Sequence, residues 1–226
     1  MTTNAHLADL GLAWQAPVHG AQQAFRALLA AMSCPGRVHA LPAAAIAGVE
    51  PPASGDGRRM SIAATAALLT LLDAESSIHF AGCARDNAAL AAYFRFHCGV
   101  PTLGLDRAAF VHARGMDADA TLCEAMQQGS DPAPQDGATL VLDIDGFGGV
   151  DTASTEAQQP QQLRLRGPGI QAETLLTLNG SPPALWQWRA AHARAFPRGI
   201  DLLLCCGAEL VAIPRSTLLT LESPCM

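Results

Sequence analysis

The sequence predicts an α/β protein of three layers, a mixed β-sheet flanked by helices. Helical periodicity alternates with short β-rich runs along the chain, which is the pattern of a layered architecture. The last two strand-like runs, 202–206 and 210–213, follow one another at hairpin spacing, so the sheet is mixed and not wholly parallel. A chain of 226 residues, half of them hydrophobic, can bury a sizeable core, and it reads as one domain over 1–226 with a short disordered N-terminal segment at about 1–14.

The first helix covers 21–32. Phe25, Leu28, Leu29 and Met32 recur at the spacing of one helical face and mark its buried stripe, Arg26 and Ser33 lie seven residues apart on the flank, and Pro35-Gly36 ends the turn. A strand over 37–41 and a loop over 50–59 (EPPASGDGRR) lead to a helix over 61–72 and a strand over 78–81. Asp86 stands as N-cap to a helix over 87–96. Strands over 110–112 and Thr139–Asp143 bracket a helix over 119–128 and a loop over 129–136. After a loop over 146–161 come strands over 163–166 and 173–178. Ser181, followed by Pro182-Pro183, opens the final helix over 183–195. The apolar run 202–206 then turns at Gly207-Ala208-Glu209 into 210–213, and Pro214 closes the pairing.

Composition excludes several functions. A net charge of -6 leaves no surplus cation to displace counterions, which argues against nucleic acid and anionic membranes as partners. The N-terminal MTTNAHLADLGLAWQ lacks a basic start and apolar stretch, and no apolar run approaches roughly 18 residues, so a cytoplasmic protein is expected. The seven cysteines include no C-x-x-C pair and are expected as reduced, mostly buried thiols. All 14 basic residues are arginine. Without a lysine there is no amine for a Schiff base with pyridoxal phosphate and no P-loop lysine for a nucleotide phosphate, so no cofactor of that kind is expected.

Glycine and histidine motifs are weak in context. Gly146-Phe147-Gly148-Gly149 follows a strand but leads into a polar Gln- and Thr-rich stretch, where a dinucleotide site needs a helix N-terminus. Gly167-Pro168-Gly169 loses an N–H to proline where a phosphate cradle needs one. His97 shares a helical face with Tyr93 and Phe94 and reads first as a packed, hydrogen-bonded histidine. No histidine or cysteine pair has metal-ligand spacing, so no metal is expected. Cys34 is the one tempting nucleophile because it sits at a turn, and its plain reading is a turn thiol.

Six segments in order carry a resemblance: 17–36 (PVHGAQQAFRALLAAMSCPG), 60–73, 93–101 (YFRFHCGVP), 137–143, 163–170 (LRLRGPGI) and 196–215 (FPRGIDLLLCCGAELVAIPR). None is a catalytic signature, and their weight lies in collinearity over most of the chain. Together they resemble the family of the H subunit of the bacterial carbon-phosphorus lyase core complex. The resemblance implies an aminotransferase-type (PLP-dependent transferase) fold without the cofactor. It also implies a cytoplasmic accessory subunit, homodimeric when isolated, that works with the other core subunits where ATP and a phosphonate give ribose 1-phosphonate 5-triphosphate.

No catalytic residue follows from it. Arginine binds phosphate and phosphonate oxygens in a planar, bidentate manner, and Arg26, Arg95, Arg164 and Arg215 fall within the matching segments. With Ser33, Asp73, His97 and Asp201 they form the candidate phosphate- or partner-binding set. Arg198 departs from the expected FP-x-GID pattern. A stand-alone phosphate- or nucleotide-binding transferase built on an Arg/Asp/His site, and a cofactor fold kept only as scaffold, are the competing readings.

Overall fold

A computed structural model describes residues 11–82, 87–148 and 160–222. Helices α1 (Pro17–Ser33), α2 (Ala43–Ile46), α3 (Ile62–Leu71) and α4 (Ala88–Cys98) fall in the first half, α5 (Ala120–Ala125) and α6 (Pro183–Ala191) in the second. Strands β1 (His39–Ala40), β2 (Ile78–Phe80), β3 (Phe110–Arg114), β4 (Thr139–Asp143), β8 (Asp201–Cys206) and β9 (Glu209–Ile213) make a six-stranded sheet in the order β1-β9-β8-β4-β3-β2. Within it β2, β3, β4 and β8 run parallel, β9 pairs antiparallel with β8, and β1 pairs antiparallel with β9. Strands β5 (Gly146–Phe147), β6 (Gln161–Arg166), β7 (Thr174–Asn179) and β10 (Leu218–Glu222) form a second, antiparallel sheet in the order β10-β6-β7-β5.

Period-two alternation along the central strands splits the interior in two. Val141, Leu203 and Cys205 face a core shared with α1, α3 and α4, whereas Leu140, Leu142, Leu202 and Leu204 face a core shared with α6 and the small sheet. The first core centres on α3, whose Ala63, Ala64, Ala66, Ala67 and Leu68 are all buried, as expected of a helix that is apolar all round. Alanines let α1 approach closely, and α1 buries Ala24 and Ala31 beside Leu28, while Gly20 makes room for the Trp14 ring.

This corrects the predicted stripe on the first helix. Leu28 is buried, but Phe25, Leu29 and Met32 are 46%, 50% and 36% exposed, because the space against α3 admits alanine and not bulk. Four further expectations change. The runs at 163–166 and 173–178 belong to the small sheet, where Leu163 and Leu165 point inward and Arg164 and Arg166 outward. Ser181 does not cap α6; its Oγ accepts the indole N–H of buried Trp186 at 2.9 Å. Residues 11–14 are tied down: the Leu12 N–H bonds Glu50 and the Trp14 indole bonds the Ala45 carbonyl. Strand β5 takes up Gly146-Phe147 of the predicted loop. Asp86 and Gly149 lie outside the described residues.

Element ends follow local chemistry. Ser61 accepts the Ala64 N–H and starts α3, Asp119 accepts the Leu122 N–H and starts α5, and α4 runs on to Cys98 because Gly99, at φ +72°, supplies the left-handed cap.

Candidate functional site

The carboxyl ends of parallel strands are where open α/β sheets leave room for ligands. Here β3 and β4 end side by side, with Arg114 in register against Asp143. Two residues back on β3, His112 is 3% exposed and its Nε2 donates to Asp143 Oδ2 at 3.1 Å. The same oxygen accepts the Ser61 N–H at 3.1 Å, so the carboxylate sits at the N-terminus of α3, where the helix dipole favours negative charge. Burial pushes the Asp143 carboxyl up, and the hydrogen bonds from His112 and Ser61 outweigh it, holding the group below its ordinary value. Asp143 Oδ1 is buried and has no hydrogen-bond partner among the described residues.

The loop before α3 is folded to present two arginines. Ser54 N–H and Oγ both bond the Arg58 carbonyl, the Arg58 N–H bonds Asp56, and Gly57 takes φ +80° at the tip. Arg114 clamps this loop, donating to the Arg58 carbonyl at 2.6 Å and pairing with Asp56 at 3.4 Å. Hydrogen bonds from Ser54 and from the Arg58 N–H hold the Asp56 carboxyl below its usual range, with Arg114 adding to them. Arg59 spends one N–H on the Pro51 carbonyl at 2.7 Å. Arg58 makes no side-chain hydrogen bond to any described residue.

Between this loop and the turns after β3 and β4 lies a cavity of about 330 Å³ lined by Arg58, Arg59, Arg114, Asp117, Asp143 and Asp145, among others. That volume lies within the ordinary range of small-molecule sites, roughly 300–1,000 Å³. Its floor requires two glycines: a Cβ on Gly115 would run into the Gly180 carbonyl, and one on Gly180 into the Asp145 carboxylate. The Ser61, Asp143 and His112 groups do not form a nucleophile relay. In a relay the imidazole stands between hydroxyl and carboxylate, whereas here the carboxylate stands in the middle. The set is built to hold Asp143 charged and oriented.

Residues 12–220 match the family described as "Bacterial phosphonate metabolism protein (PhnH)". The chain belongs to this PhnH family. It is similar to the "Putative C-P lyase subunit protein HtxG" of Stutzerimonas stutzeri, at 33% identity over 210 residues covering 92% of this chain and 89% of that protein. It is also similar to the "Alpha-D-ribose 1-methylphosphonate 5-triphosphate synthase subunit PhnH" of Rhizobium meliloti (strain 1021), at 29% identity over 209 residues covering 91% and 93%.

The residues singled out from the PhnH-like segments are spread over the molecule. Asp201 and Arg215 come together at 2.6 Å, and Arg215 also donates to the Pro134 and Gly137 carbonyls. Arg164 pairs with Glu173 and Glu222 on the outer face of the small sheet. Asp73 accepts the Glu75 and Ser76 N–H groups in the turn after α3, which holds its carboxyl low. His97 is packed against Tyr93 and bonds the Gly11 carbonyl at 2.9 Å. Arg95 lines a separate groove on α4 with Ala92 and Thr102. Arg26 and Ser33 are exposed on α1, the Ser33 hydroxyl donating to the Leu29 carbonyl. Arg198 pairs with exposed Asp131. Cys34 is half-buried at the end of α1, while burial pushes the Cys98 and Cys123 thiols up to about 11 and about 12.

Sequence reasoning missed Arg58, Arg59, Ser61, His112, Arg114 and Asp143. One signal was available: Asp143 closes the apolar run TLVLD, and Arg114 closes FVHAR, polar residues at the ends of consecutive parallel strands.

Proposed function

We propose that this chain is an accessory subunit of a carbon-phosphorus lyase complex, non-catalytic by itself, that supports phosphonate catabolism at the step joining a phosphonate to the ribose of ATP. Its relatives are named as subunits of such machinery, and one feature of the fold supports the same role. On α1, Val18, Phe25, Leu29 and Met32 recur seven, four and three residues apart and stand out of the surface, Val18 at 87% exposure. An apolar helix stripe of this kind marks an interaction surface. Arg26 and Ser33 flank it as the polar rim, and the occupant is another subunit of the complex. In the isolated protein a second copy covers the same stripe and gives a homodimer.

The companion reading of the fold is an aminotransferase-like sheet without its cofactor. Four parallel strands between helices support it, as does a sequence with no lysine for an aldimine. The place of action is the cytoplasm, and no helix among the described residues is long and apolar enough to cross a membrane.

Co-expression with the other complex subunits tests the assignment. The Phe25→Glu/Leu29→Glu variant should fold normally by circular dichroism, fail to co-purify, and run as a monomer by light scattering. Co-purification at the unaltered stoichiometry would sink the α1 surface as the docking site.

A further inference from the structure

We infer that the cavity at the carboxyl ends of β3 and β4 binds a small ligand carrying a phosphate or phosphonate at one end and hydroxyl or ammonium donors at the other. The cavity has two chemical sides. Arg58 and Arg59 come from the loop before α3, and Asp117 and Asp145 from the turns after β3 and β4, with Asp143 between them.

On the cationic side, the guanidinium of Arg58 makes no hydrogen bond to any described residue and Arg59 gives up a single N–H among them, to Pro51. At the opposite end of the sheet the fold ties its arginines down: Arg189 donates to three carbonyls, and Arg215 to a carboxylate and two carbonyls. Two adjacent guanidiniums with donors to spare, on a loop locked by Arg114, Asp56 and Ser54, suit the planar bidentate recognition of phosphoryl oxygens. Asp143 is 13% exposed and charged where it lines the cavity, and its buried Oδ1 has no hydrogen-bond partner among the described residues, which leaves an acceptor without a donor beneath the site. The carboxylates repel a bare anion, so inorganic phosphate alone is the wrong occupant. A sugar phosphate, through its hydroxyls, and an aminoalkyl phosphonate, through its ammonium, share the required chemistry.

The inference deepens the proposed role by naming a ligand for this subunit, but it rests on the cavity and not on α1. Isothermal titration of the full chain, without partner subunits, therefore tests it separately. The probes are ribose 5-phosphate, 2-aminoethylphosphonate and inorganic phosphate. At least one of the first two should bind saturably and more tightly than inorganic phosphate, and the tighter of the pair tells whether the donors are hydroxyl or ammonium. Arg58→Ala should weaken that binding roughly tenfold to a hundredfold, the worth of a charge-assisted pair of hydrogen bonds. Asp145→Asn should weaken it while strengthening the response to inorganic phosphate, which loses a repelling charge. The loop is held through the backbone of Arg58, which the substitution keeps, so the variant is expected to melt like the parent. No saturable binding by either bifunctional probe, equal binding of inorganic phosphate, or an unchanged affinity in Arg58→Ala would overturn the inference.

Discussion

The two ends of the central sheet use the same residue types for opposite purposes. At the amino ends of the parallel strands, Asp201 opens β8 and takes the Arg215 N–H at 2.7 Å together with its guanidinium, whose remaining donors go to Pro134 and Gly137. Arg189, 3% exposed, ties the Pro214, Arg215 and Thr217 carbonyls to α6. At the carboxyl ends, the Arg58 guanidinium has no hydrogen-bond partner among the described residues, and Asp143, its buried Oδ1 unpartnered, lines a cavity. An arginine is structural or available according to whether the fold supplies acceptors to its guanidinium. Residue identity does not reveal this, because the partners are mostly carbonyls supplied by the fold.

The contrast breaks first at the amino end. Asp201→Ala should cost about 3 kcal/mol in urea unfolding, the lower end of the range for stranding one member of a buried pair, since both side chains are partly exposed at 15% and 18%. An unchanged midpoint would mean that Arg215 is held by carbonyls alone and that the end is not saturated as described.

Acid sharpens the comparison at the other end. The folded Asp143 carboxyl lies below the ordinary 3.8. It therefore contributes stability that is fully present above the unfolded value and lost as pH falls through the folded one. Asp143→Asn should cost roughly 1–3 kcal/mol at neutral pH, the range for weakening a buried hydrogen-bonded group, and the gap to the parent should close below about pH 4. Asp56, Asp73, Glu173 and Glu222 are also held low, but they are common to both proteins and cancel in the difference. A gap independent of pH would show that Asp143 is not the charged group at the centre of the site.

Much of the frame was legible because it rests on local rules. The alternation in Thr139–Asp143 and Asp201–Cys206, apolar on both faces, announces central strands, and Ser61 and Asp119 announce helix starts. The polar-apolar alternation in Gln161–Arg166 announces a one-sided sheet, and weighing it would have separated β6 and β7 from the main sheet. Other features are tertiary. Which face of α1 is buried depends on the alanines of α3, and the site depends on a strand end, a loop and a helix N-terminus brought together from residues 58, 61, 112 and 143. No spacing rule spans that separation.

The smallest expected effect on stability is the one that separates docking from folding. Arg26 is exposed beside Phe25 and Leu29 and makes no hydrogen bond to any described residue, and Leu29 is half exposed where its neighbour Leu28 is 4% exposed. Surface substitutions away from special contacts usually stay within about 0.5 kcal/mol, so Arg26→Ala and Leu29→Ala should both unfold with the parent. Either should still lower co-purification with the other subunits, because rim charges set encounter and an apolar anchor sets residence. Growth on a phosphonate as sole phosphorus source reads the consequence in the cell. If both variants keep parental stability and also co-purify and grow as the parent does, the outer stripe of α1 is ordinary surface. The contrast within this helix, alanines inward and bulk outward, then has a packing explanation only.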